Sequence, residues 1–210
     1  MKNTLGLIGP TLMVFIGLQL LESVTITFLL FYGWLLWAPI IEKAFPKESF
    51  KITRHELIVS IGCGLAFFLF VFGGVTLLQS YLLDIKQLRI ILWDWGFSGS
   101  SEIWLILILL IVNPILEEVY WRGYMYKKVR SQGKALTAIL ITAVFYTLYH
   151  LLSVFHIFQG WFGVVAVLPV LIAGVLWGGI REKTGSVTGS IISHALSDLG
   201  IVCVYWFIVR

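Results

Sequence analysis

The apolar run Ile103-Trp104-Leu105-Ile106-Leu107-Ile108-Leu109-Leu110-Ile111-Val112 leads into Pro114-Ile115-Leu116-Glu117-Glu118-Val119-Tyr120-Trp121-Arg122-Gly123. Two adjacent glutamates and an arginine thus arrive where the chain otherwise reads as hydrocarbon. A charge at the centre of a membrane helix costs roughly 2.5–3.5 kcal/mol on insertion scales, and such residues mark function by default. Glu118 and Arg122 are four apart, so a helix sets them on one face as an ion pair. Glu117 lies about 100° round the helix from Glu118 and has no such partner. A lone Glu–Arg pair reads equally well as a structural lock between helices. The second carboxylate, left without a local cation, is the one suited to moving protons.

Working outward, the composition settles the class. Of 210 residues 59% are hydrophobic and only 12% charged, with a mean hydropathy of +0.95. Soluble domains average about 25% charged residues, so the chain is read as all-α, a polytopic transmembrane bundle forming one integral membrane domain over residues 1–210. No soluble domain flanks the apolar spans, which places any active site inside the bundle. The net charge of +4 is no nucleic-acid signal, because the basic residues fall in short loops between spans. Cys63 and Cys203 sit in apolar stretches and read as inert packing residues.

Seven spans are expected. Residues 5–42 are too long for one crossing of a roughly 30 Å core and divide into about 5–21 and 24–42, although no Gly or Pro marks the turn. The first is not a signal peptide, since no small-residue cleavage site follows it. A basic loop at 43–56 precedes a third span, 57–79, in which Gly62, Gly64, Gly73 and Gly74 would permit close helix approach. Residues 80–102 are mixed, and Trp93-Asp94-Trp95 reads as an interfacial anchor. The fourth span, from Ile103, carries the Glu-Glu stretch and ends in Lys127, Lys128 and Arg130. The fifth covers about 135–155 and is followed by a short aromatic turn. The sixth, 162–180, contains a Gly174-x-x-x-Gly178 packing face, and the last runs from 187 to 208. A cytoplasmic N-terminus puts Lys2 and the loops 43–56, 127–134 and 181–185 inside. Eleven Lys/Arg then face the cytoplasm against Lys86, Arg89 and Arg210 outside, which orients a multi-pass cell-membrane protein by the positive-inside rule.

Two further polar sites interrupt apolar helices: Phe145-Tyr146-Thr147-Leu148-Tyr149-His150 in the fifth span and His194-Ala195-Leu196-Ser197-Asp198 in the last. His194 and Asp198 are one turn apart on one face. A single membrane histidine is commonly a packing residue, but ionisable groups on three separate spans imply a shared polar cavity. Counted from the basic loops, Glu117 and His194 lie at roughly 13 and 12 Å depth, whereas His150 lies at roughly 24 Å. The fifth helix must therefore start outside the membrane or tilt strongly.

The ordered set Glu117-Glu118-x-x-x-Arg122-Gly123, aromatic-x-x-x-His150 and His194-x-x-x-Asp198 resembles the CPBP family of intramembrane proteases. That family includes CAAX-prenyl-protease-like enzymes and bacterial proteins linked to bacteriocin immunity. The resemblance spans about residues 100–205, which it would make the catalytic core. It implies an endopeptidase in which Glu117 is general base on a water, assisted by His150. Glu118 would be held by Arg122, and His194 with Asp198 would support the oxyanion. The chain departs from the family in having Tyr146, not Phe, four residues before His150, with Phe145 one place earlier; the family admits Asn or Asp at position 198. The implied partners are the lipid bilayer and a membrane-associated peptide or protein, lipidated or not, with no nucleic acid.

The chemistry agrees with that reading on its own terms. Peptide hydrolysis needs an activated water, a base and donors aimed at the oxyanion. No cofactor is expected. The competing arrangement is a zinc ion held by Glu117, His150 and His194 with an open position, although no His-Glu-x-x-His is present. Two other classes stay open: a non-catalytic immunity or scaffold protein that keeps the polar core, and a proton-coupled transporter. The absence of an internal repeat argues against a transporter built from inverted halves.

Overall fold

The computed structural model describes residues 3–158 and 162–210, with Glu48 and Ser49 described by their backbone alone. Lys2 and residues 159–161 of the expected aromatic turn lie outside the described residues, and the helix before that turn runs on to Ile157. Within them all regular structure is helical, and seven helices are long and apolar enough to cross a membrane: α1 (Asn3–Leu20), α2 (Val24–Ile41), α3 (Arg54–Leu82), α5 (Ser101–Arg130), α6 (Ala135–Ile157), α7 (Phe162–Thr184) and α8 (Thr188–Val209). A shorter helix, α4 (Ile85–Asp94), joins α3 to α5. The chain is a multi-pass membrane protein. Helices are the form an open chain must take there, because each backbone N–H and C=O has to find a partner inside its own segment. Large side chains such as Leu77 on α3 (81% exposed) and Leu29 on α2 (72%) face outward, where lipid replaces water as their solvent.

The α1–α2 turn, for which the sequence offered no Gly or Pro, is made by polar residues. Glu22 adopts a positive φ of 49°, and Ser23 caps α2 by accepting from Ile26 N–H. α3 opens on a reciprocal capping box, in which Thr53 Oγ1 accepts from Glu56 N–H and the Glu56 carboxylate accepts from Thr53 N–H. At the same end of the bundle Lys128 Nζ donates to Glu42 Oε2 at 2.7 Å and ties the end of α2 to that of α5. Burial works against ionisation of Glu42, but the hydrogen bonds it accepts, that from Lys128 foremost, together with the Lys128 charge outweigh it and hold the carboxyl down at about 2. α4 tucks Leu88 into a cluster with Val204 and Val209 and leaves Trp93 68% exposed.

α5 is the axis of the bundle for half its length. Its first part is largely exposed, whereas every residue from Glu117 to Tyr126 is buried. Tyr120, Trp121, Tyr124 and Met125 from this half meet Tyr146 and Tyr149 of α6 and Trp177 of α7 in the main core. Two π-helical turns, Ile108–Val112 and Val119–Met125, flank the α-helical Asn113–Glu118. Pro114, which lacks an N–H, sits where the first wide turn gives way to α-helix. Such turns recur at functional sites, since they re-aim neighbouring side chains.

Of the four α3 glycines expected at a helix contact, only Gly64 is at one. A Cβ there would stand 2.8 Å from Leu196 Cβ and 3.0 Å from Ser193 Cα of α8, while Gly62, Gly73 and Gly74 meet nothing within 4 Å. Those three lie away from α8. Gly174 and Gly178 do form a packing face: an added Cβ would come within 3.1 Å of Ala143 and 3.0 Å of Ile139 on α6. Gly64→Ala is therefore expected to destabilise the protein by about 1–3 kcal/mol through overpacking. Gly62→Ala should be neutral or stabilise by up to ~1 kcal/mol through helix propensity. Thermal unfolding of the two purified variants checks the contrast, and equal melting temperatures would contradict the α3–α8 contact.

Candidate active site

The glutamate pair divides as its helical spacing demands. Glu118 Oε1 accepts from Arg122 Nη1 at 2.9 Å, with the two side chains 0% and 1% exposed. Arg122 Nη2 donates to Gly174 O at 3.1 Å. The guanidinium lies 4.5 Å from the Tyr146 ring centroid and 5.2 Å from that of Trp177. The arginine is thus held by a carboxylate, a main-chain carbonyl and two aromatic faces. That matters because ions removed from water are repaid only by good geometry and further hydrogen bonds.

Glu118 also engages α8, which the four-residue spacing alone does not reveal. His194 Nδ1 donates to the same Glu118 Oε1 at 3.1 Å. The other ring nitrogen, Nε2, faces Asp198 Oδ2 at 3.4 Å and Glu117 Oε2 at 3.8 Å. Trp177 stacks on the imidazole at 4.0 Å with an 18° interplanar angle, itself fixed by donating from Nε1 to Ser193 Oγ at 3.1 Å. His194 is therefore fixed in position, ring plane and tilt. Glu117 is 2% exposed, and among the described residues no hydrogen bond within 3.5 Å reaches its Oε2 or the buried Tyr149 hydroxyl. Glu118 Oε2 is unpartnered too, but Glu118 is locked through Oε1, which accepts from both Arg122 and His194, whereas Glu117 is approached by His194 Nε2 at 3.8 Å without a hydrogen bond.

The structure joins Glu117, Glu118, Arg122, His194 and Asp198 into one network. His150 is next to it rather than in it. Its Nδ1 donates to Tyr146 O at 2.9 Å, which leaves Nε2 as the acceptor of the neutral ring, and its ring packs at 4.7 Å on Tyr146 and 4.4 Å on Tyr149. Among the described residues no hydrogen bond or ion pair connects it to Glu117. About half of the depth discrepancy is one helical turn. Tyr146, whose ring stands 6.2 Å from that of His194, occupies the arginine–histidine layer, and His150 lies one turn farther from the basic loops. Tyr146 also takes the inward aromatic position, 2% exposed, while Phe145 packs at the rim of the core.

Three contributors escaped the sequence reading. Trp177 lies inside the Gly-x-x-x-Gly segment, where only a packing face was expected. Asn113 Nδ2 donates to Asp198 Oδ2 at 3.4 Å and its Oδ1 accepts from Tyr32 OH at 3.2 Å, which brings α2 to the site. Asn113 stands four residues before Glu117, the same helical spacing that exposed the Glu118–Arg122 pair. Tyr32 has no such signal, being one aromatic in an apolar span.

Of the residues the zinc alternative needs, His194 Nδ1 is bonded to Glu118 and His150 Nδ1 to Tyr146 O. Among the described residues no three His, Cys, Asp or Glu side chains converge as ligands.

Comparison with known proteins places the same segment. Residues 99–200 match the family model described as type II CAAX prenyl endopeptidase Rce1-like. A CAAX prenyl protease 2 of Methanococcus maripaludis is 29% identical over 115 residues, which is 50% of this chain and 42% of the relative. The chain thus matches about two fifths of that relative's length. No solved structure gives a significant match.

Removing Arg122 leaves Glu118 buried without its cation, a loss of about 3–5 kcal/mol. Arg122→Ala should accordingly fall sharply in membrane abundance and melting temperature. Arg122→Lys should recover only part, because an ammonium cannot span Glu118 and Gly174 O as the planar fork does. A normal melting curve for Arg122→Ala would contradict this account.

Proposed function

We propose, from the match of residues 99–200 to the type II CAAX prenyl endopeptidase Rce1-like family model and from the similarity to a CAAX prenyl protease, that this chain hydrolyses a peptide bond of a membrane-associated peptide or protein. The observation that carries the reading is the unpartnered, buried Glu117 Oε2 standing 3.8 Å from the Nε2 of a histidine whose Nδ1 is anchored to Glu118. That is the arrangement of a base beside a donor, each held in place by other groups.

In this mechanism Glu117 takes a proton from a water, and the water oxygen bonds to the scissile carbonyl carbon. The carbonyl π electrons move onto oxygen, where the Nε2–H of a His194 imidazolium, which donates from both ring nitrogens, receives the developing charge. Collapse re-forms the carbonyl and breaks the C–N bond, and Glu117 returns the proton to the leaving nitrogen. The products are a carboxylic acid and an amine. His150 keeps Nε2 for the water, because Nδ1 is committed to Tyr146 O. Glu118, Arg122 and Asp198 act through His194 and are positioning residues. The reading is metal-free, supported by the donor geometry around His194 and His150. The relative's name supports a lipidated substrate near its C-terminus as the first class to try.

Removing a general base typically loses about 10²–10⁴ in rate. Glu117→Gln should therefore fold normally and lose cleavage by that factor. The check is terminal-peptide mass spectrometry on membranes from cells expressing the native chain or the variant. New termini should depend on Glu117. Their equal appearance with Glu117→Gln would end the proposal.

The orientation is proposed from the eleven-to-three division of loop cations, with a cytoplasmic N-terminus. Single cysteines at Lys128, Lys183 and Lys86, in a background lacking Cys63 and Cys203, provide the check. An impermeant thiol reagent applied to whole cells should label position 86 alone, and labelling at 128 with none at 86 would reverse the topology.

A further inference from the structure

We propose that the basic-loop end of the bundle holds a binding site for one anionic phospholipid, with its phosphate among Lys43, Lys47 and Lys127 and its acyl chain along Leu36 and Ile40. A cavity of about 1500 Å³ opens there between the ends of α2, α5 and α7, larger than the roughly 300–1000 Å³ typical of small-molecule pockets. Its wall is amphipathic. Leu36 and Ile40, 37% and 42% exposed, carry the lipid-facing surface of α2 directly into it, and Phe45 and Pro46 extend the apolar side.

The charged side is unbalanced. The only acid lining the cavity among the described residues, Glu182, is already taken: it lies 3.7 Å from Arg130 Nε and accepts a hydrogen bond from Tyr126 OH. Lys43, Lys47 and Lys127 line the same cavity, are exposed, and form no ion pair with any described residue. Three ammonium groups on one cavity beside an apolar wall complement a phosphate that carries a hydrocarbon tail. Two ordinary reasons for basic loops do not account for this cluster. Last-turn cations offset a helix C-terminal dipole, which covers Lys127 but not Lys43 or Lys47, both beyond the end of α2. The positive-inside bias covers Lys51, Lys134 and Lys183 equally, yet none of these lines the cavity.

The cavity floor is the back of the candidate active site. Arg181 Nε donates to Arg122 O at 3.0 Å, and a Cβ on Gly123 would stand 2.5 Å from Pro46 Cγ. A lipid bridging the 43–47 loop and α5 therefore braces the helix that carries the glutamates. The inference stands whether or not the chain is a protease.

The test is thermal unfolding of the purified full chain in neutral detergent, followed by tryptophan fluorescence. Dioleoylphosphatidylglycerol at about 100-fold its dissociation constant should raise the melting temperature by about 5–10 °C, and dioleoylphosphatidylcholine should not. The Lys43→Gln/Lys47→Gln/Lys127→Gln variant should lose that rise, and Lys47→Gln alone should lose part of it. The charge-matched Lys51→Gln/Lys134→Gln/Lys183→Gln variant should keep it. Equal rises with the two lipids would overturn the site, as would equal losses in the two triple variants. Inorganic phosphate reproducing the full rise without lipid would replace the phospholipid by a free anion and overturn the proposal as stated.

Discussion

The bundle depends on one requirement: a carboxylate and a guanidinium, four residues apart on α5, must survive where no water can solvate them. Glu118 and Arg122 do so only because neighbouring helices finish what the pair leaves open. α7 supplies a carbonyl and Trp177, α6 supplies Tyr146, and α8 supplies His194. Each contribution fixes one helix against α5. The pair is thus the point at which four transmembrane segments acquire a common register, and the geometry of the polar network follows from satisfying it.

The same constraint explains how much of the protein is legible in its sequence. The spans are legible because a bilayer demands long apolar helices, and the ends of all seven fall within a few residues of the expected ones. Glu118–Arg122 and His194–Asp198 are legible because i, i+4 spacing is a property of any helix. Contacts between helices are not. The bond from His194 to Glu118 joins residues 76 apart, and the stacking of Trp177 on His194 depends on how α7 rotates against α8. The α3 glycines show the same limit: four look equivalent in an apolar span, and only Gly64 happens to point at α8. Tyr32 lies outside residues 99–200, which the family model matches, and no motif pointed to it.

The π-helical turns on either side of Asn113–Glu118 add a local contribution. A wide turn inserts an extra residue and rotates whatever follows relative to what came before. Between two such turns, the short α-helical segment is decoupled from the phase of the rest of α5. Asn113 and Glu117 can then share a face directed at α8 while the outer half of the helix keeps its apolar face to lipid.

The unbroken burial from Glu117 to Tyr126 has an electrical consequence. A membrane at 100 mV stores about 2.3 kcal/mol per elementary charge moved across it, and any polar chamber spanning both faces would dissipate that energy as a proton leak. Eight packed residues, about 12 Å of helix, stand between the glutamates and the basic loops, whereas Asp198, Asn113 and His150 on the other side are only partly covered. The bundle is in effect an insulator with a blind well: it admits ionisable groups to the membrane interior without short-circuiting the two compartments.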